Sequence, residues 1–160
     1  EGGKNMAPRQ HMRKMKVGKV TFTEAYKAVN EYRRKFPEKA VTFYAQNYPA
    51  MGWAVFMAGG SCPVIPCKDK AFLKDAAVME VEETDSEDYK KMVKSGIGSI
   101  IYSNSGVEVP VQLSSGKYIL RYIHPDSGEM EVISKSLKIN NVYTLKVPDG
   151  KEGVYWFHRL

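Results

Sequence analysis

A chain of 160 residues with 43% hydrophobic and 26% charged residues can bury one ordinary core or two small ones, which excludes a disordered protein. The net charge of +6 raises nucleic acid as a partner, yet the excess is confined to residues 1–40, which lack aromatic interleaving and any helix-turn-helix or zinc pattern. No nucleic-acid partner and no membrane span are therefore expected, and no charged-then-apolar signal segment opens the chain, whose start at Glu1 reads as the middle of a longer protein.

Residues 1–20 carry Gly2, Gly3, Pro8 and Gly18 without a sustained period and read as a long loop. A helix is expected to start at Thr23-Glu24 and to end at Phe36, before Pro37. Tyr26, Val29, Tyr32 and Phe36 recur at three- and four-residue steps, which predicts one buried face. The run AVTFYA at 40–45 is β-branched and aromatic with almost no polar interruption, the pattern of a strand buried on both sides in a parallel sheet. Pro49 suits the first turn of a short helix in which Met51, Trp53, Val55, Phe56 and Met57 surround the axis, and Gly59-Gly60 ends it. Together these segments predict an α/β unit lacking the strands with which it should pair.

The linker SCPVIPCKDK holds both cysteines, Cys62 and Cys67. No metal is expected, because His11, His124 and His158 stand alone in sequence, and either a local disulfide or two free thiols would suit the spacing. A short helix over 70–78 follows, then the acidic stretch EVEETDSED, with Ser86 as cap of a turn reaching Lys94. From Ile97 the period changes to two. Six strands are predicted over 97–103, 107–113, 117–123, 129–133, 142–147 and 154–160, separated by turns rich in Gly, Asn and Asp, which reads as an antiparallel sandwich. Pro110 marks its strand as an edge or a bulge.

The segments YRRKFPEKAV, GWAVFMAGGSCPVIP, GKYILRYIHPDSGEM and GVYWFHRL resemble the C-terminal portion of glycoside hydrolases of the Bacteroides type. That resemblance implies an α+β chain: the end of a (β/α)8 catalytic barrel over 1–69, then a collagen-binding-like or carbohydrate-associated β-sandwich over 70–160. It further implies a glycan substrate, a periplasmic or extracellular setting, no cofactor, and a partner in the missing N-terminal part of the barrel or in another copy of the chain. Glu1 would then follow the seventh barrel strand as a catalytic carboxylate, while Gln46, Asn47 and Tyr48 would follow the eighth and bind sugar, with Trp53 as a stacking platform. A glycosidase needs a second carboxylate, and the acidic group from Glu80 to Asp88 is too dense and hydrated to provide it, so the chain alone is expected to be inactive. Two roles are open for the β module: packing on the barrel and stabilising it, with its aromatic residues mostly core, or acting as a non-catalytic carbohydrate- or protein-binding module through Tyr102, Tyr118, Tyr122, Tyr143, Tyr155 and Trp156.

Overall fold

The computed structural model describes residues 20–43 and 49–160. Its first helix, α1 (Phe22–Lys35), begins at a capping box: the Glu24 N–H donates to Thr21 Oγ1 at 3.2 Å and the Thr21 N–H donates to the Glu24 carboxylate at 2.9 Å. Thr21 is therefore the cap, two residues before the expected Thr23. Helix α2 (Pro49–Met57) is apolar on all sides and enclosed accordingly, with Trp53, Val55 and Met57 buried. Helix α3 (Lys70–Ala76) starts at Asp69, whose carboxylate accepts from the Phe72 N–H at 2.8 Å.

Eight strands follow: β1 (Glu80–Glu82), β2 (Tyr89–Lys94), β3 (Gly98–Ser103), β4 (Glu108–Gln112), β5 (Gly116–Ile123), β6 (Met130–Ile139), β7 (Val142–Lys146) and β8 (Gly153–Arg159). Six of them make one sheet in the order β1-β2-β3-β8-β5-β6, and β4 pairs with β7 in a separate ribbon. Every pairing is antiparallel. Alternation along the central strands sends Ile100, Tyr102, Val154 and Trp156 into a core shared with the helices, and Ile101, Tyr155 and Phe157 into a second core shared with Val109, Val111 and Leu145 of the ribbon. The result is three layers: helices, sheet, ribbon.

This arrangement corrects the expected fold. No remnant of a (β/α)8 barrel is visible among the described residues: there is no parallel strand pair, and α1 and α2 pack on each other beside an antiparallel sheet. Residues 40–43 form no strand. Val41 and Phe43 pack against the helical core instead, and the Val41 carbonyl accepts from the Ser61 N–H at 2.7 Å. A β-branched apolar run looks the same in sequence whether it joins a sheet or lies as an extended segment beneath helices. The expected two-sheet sandwich likewise gives way to one large sheet whose second face is covered by a two-stranded ribbon. The turn expected at 86–94 is mostly strand β2, its lysines disguised as surface by their charge.

The long strand β6 is an edge, and it is irregular. Tyr118 faces Leu137, Leu120 faces Ser134 and Arg121 faces Val132, so β6 takes one extra residue at two places along β5. Val132 and Ile133 are exposed there.

Three polar contacts fasten the layers. Trp53 Nε1 donates to the Pro125 carbonyl at 2.8 Å, joining α2 to the turn between β5 and β6. On α3, Asp75 is buried and its Oδ2 accepts from Trp156 Nε1 at 3.0 Å while lying 2.8 Å from His158 Nδ1. Replacing Asp75 by Ala strands the indole N–H in a dry core, and chemical denaturation should register a loss of about 1–3 kcal/mol. Trp53→Phe should cost a similar amount by orphaning the Pro125 carbonyl. Unchanged midpoints for both variants would show that helix–sheet attachment does not depend on these bonds.

Candidate functional site

Helix α1 places Tyr26 and Asn30 one turn apart on its buried side, with Lys27, Glu31, Arg34 and Lys35 around the edge of that side. Facing them is the loop from Glu83 to Asp88 that joins β1 to β2, and the two walls enclose a cleft of about 780 Å³. The loop is held in shape from beneath by Lys90, only 4% exposed, whose ammonium donates to the Ser86 carbonyl at 2.6 Å and lies 4.8 Å from the Tyr26 ring centroid. Short side-chain turns add to this: the Ser86 N–H donates to Thr84 Oγ1 and the Asp88 N–H donates to Ser86 Oγ, each at 3.2 Å. With its carbonyls turned inward to Lys90, the loop presents Glu83, Asp85 and Glu87 to the cleft.

Polar groups bridge the two walls. Asn30 Nδ2 donates to both Glu83 oxygens, at 3.3 and 3.2 Å, and its Oδ1 accepts from Arg33 Nη2 at 3.4 Å. Lys27 and Glu87 form an exposed ion pair at 2.9 Å. The hydrogen bond and charge from Lys27 hold the Glu87 carboxyl below its ordinary range. Burial, with Lys27 nearby, depresses the Lys90 ammonium. Burial and then the Glu83 charge push the Tyr26 phenol up to about 12. The Tyr26 hydroxyl and Arg33 Nε are buried and find no hydrogen-bond partner among the described residues.

The expected site residues lie elsewhere or outside the described residues. Glu1, Gln46, Asn47 and Tyr48 fall in the undescribed stretches. Trp53 is fully buried in the helical core, against Phe56 and Phe72, so its ring presents no face to a sugar. The aromatic residues on which a binding module would rely are mostly core: Tyr102, Tyr118, Tyr122, Tyr155 and Trp156 are all buried, and Tyr143 is half-buried against Phe157. Three of these tyrosines fasten the loop before β8. Tyr155 donates to the Lys151 carbonyl, Tyr122 to the Glu152 carbonyl and Tyr102 to the Glu152 carboxylate, at 2.8, 2.8 and 2.9 Å. Cys62 and Cys67 are both free thiols, one exposed and one buried. No group of three or more metal-ligating side chains occurs among the described residues, and none of their helices is long and apolar enough to cross a membrane.

The sequence alone does not bring the cleft residues together as a site, because their types are unremarkable where they stand. An acidic run and the polar side of a helix each read as solvated surface, and only the antiparallel return of β2 brings them together.

A family described as a domain of unknown function, DUF6298, matches residues 1–79. That match ends one residue before β1, so the cleft draws α1 from the matched segment and its facing loop from beyond it. Comparison with curated proteins finds no match for the chain.

Alkaline pH should loosen this structure. Burial raises the phenols of Tyr26, Tyr102, Tyr122 and Tyr155 in the folded state, so above pH of about 10 the folded chain retains protons that the unfolded chain gives up. Their contribution is complete below that pH and is lost as pH rises through the folded values. Lys90 works in reverse: its depressed value lets the unfolded chain hold the extra proton up to about 10.5, so it adds stability with rising pH over that window. Four phenols oppose one ammonium. Urea midpoints measured from pH 9 to 11.5 should fall, and a rise would show that these phenols titrate as freely as in the unfolded chain.

Proposed function

We propose that this chain binds a neutral, hydroxyl-rich ligand, a saccharide, in the cleft between α1 and the 83–88 loop, as a non-catalytic module of a polysaccharide-processing protein. The observation that carries the reading is the balance of the lining: Lys27, Arg34, Lys35 and Lys90 stand against Glu31, Glu83, Asp85 and Glu87, with Asn30, Thr84 and Tyr26 between them. Such a cleft has little net attraction for an anion or a cation. It does offer donors and acceptors in alternation, and a sugar hydroxyl, which donates one hydrogen bond and accepts others, uses both.

Binding is favoured over catalysis because a glycosidic general acid must hold its proton near neutral pH, which requires a raised carboxyl. Glu87 is instead ion-paired with Lys27 at 2.9 Å, and Glu83 accepts from Asn30 with both oxygens. The resemblance of GKYILRYIHPDSGEM and GVYWFHRL to the C-terminal portion of glycoside hydrolases supports placing the module in such an enzyme, acting outside the cytoplasm.

Calorimetric titration with cello-, xylo- and malto-oligosaccharides, alongside an oligouronate and an oligolysine, tests the proposal. At least one neutral series should bind, in preference to both charged probes. Asn30→Ala removes the amide that ties the Glu83 carboxylate to α1 and so unfastens the facing wall, which should weaken that binding roughly tenfold, while Trp53→Phe should leave it intact. Preference for a charged probe, or equal affinity in Asn30→Ala, would remove the saccharide reading.

A further inference from the structure

Helix α1 has a second flank. There the side chains of Ala28, Val29, Tyr32 and Phe36 face Val41 and Phe43 across an apolar groove of about 650 Å³. Tyr32 is 59% exposed and Phe36 38% exposed, although their helical spacing with Tyr26 and Val29 predicts burial. Their rings lie side by side, centroids 6.2 Å apart and tilted by 31°. Among the described residues these two neighbouring aromatic rings form an exposed apolar surface on an ordered helix.

We infer that the ligand is an oligosaccharide chain that crosses α1, with hydroxyls of one part bonded in the polar cleft and a ring of another part stacked on Tyr32 and Phe36. The inference rests on the saccharide reading of the cleft and extends it. Cleft and groove share one wall: Glu31, Arg34 and Lys35 face the first, Tyr32 and Phe36 face the second, and a helix is only about 10 Å across. Lys35 joins the two, since it lines the cleft while its ammonium lies 5.6 Å from the Phe36 ring centroid.

Chemistry decides between occupants. A protein or a second copy would use the apolar groove alone, while a sugar chain has polar edges for one flank and C–H faces for the aromatic rings of the other.

The test measures affinity against chain length, from disaccharide to hexasaccharide, in whichever neutral series binds. Affinity should rise with length until the chain reaches the groove and then level off. Tyr32→Ala combined with Phe36→Ala should lower affinity for the longest ligand roughly five- to tenfold and leave the disaccharide unaffected. Both side chains are substantially exposed, so the variant should fold, and a melting curve on the same preparation confirms that. Length-independent affinity, or a double variant that binds the hexasaccharide like the parent chain, overturns the crossing chain while leaving the cleft reading in place. Absence of binding to every neutral series overturns both. Loss of a self-associated species from the double variant in sedimentation, without any change in saccharide affinity, would assign the groove to a second copy instead.

Discussion

The structure depends on β8 being covered from both sides. Val154 and Trp156 enter the helical core, Tyr155 and Phe157 enter the ribbon core, and the strand is hydrogen-bonded to β3 on one edge and β5 on the other. A strand in that position has no solvent-facing row, which is why VYWF is continuously apolar and not alternating. The two cores also meet through it. Phe72 of α3 packs edge-on to Trp156 at 5.5 Å, Arg121 lies over the same indole at 4.6 Å, and Tyr143 of the ribbon packs against Phe157 at 5.7 Å.

What this frame positions is α1. The helix lies where Phe22 stacks on Tyr102 of β3 at 4.3 Å and Tyr26 receives Lys90 from β2. Lys90 thereby joins two roles, closing the end of a core and folding an acidic loop around its ammonium. Burying a lysine is costly unless its donors are satisfied, and here backbone carbonyls and an aromatic face supply the partners without a carboxylate. The carboxylates of the loop are left to face the cleft.

The sequence was legible where one physical pattern has one structural outcome. Turns such as HPDSG and PDGKEG delimit strands in sequence as they do in the fold, and the all-round apolar composition of GWAVFM forms an enclosed helix. It misled where one pattern has two outcomes. AVTF is compatible with a buried strand and with an extended strap beneath helices. YKKMVK reads as surface because charge normally marks water, yet Lys90 and Lys91 are buried on opposite sides of β2, Lys91 paired with Glu82. The spacing of Tyr32 and Phe36 gives the face of the helix on which they lie, but what covers that face is decided by elements distant in sequence. The cleft was illegible for the same reason, since Asn30 and Glu83 are neighbours only after the sheet has formed.

The irregular register of β6 governs how far the sheet can extend. A straight ten-residue edge would offer a row of backbone donors and acceptors in register with any incoming extended chain, and with Val132 and Ile133 exposed it would gain apolar contact as well. Two added residues within that edge shift the spacing of those groups, so a regular strand laid beside it aligns over only a few residues at a time. Lys135 and Lys138 put like charges on each approaching copy. Addition of further strands to the sheet is thus opposed by geometry and charge at the edge itself, without β6 lying beneath another layer.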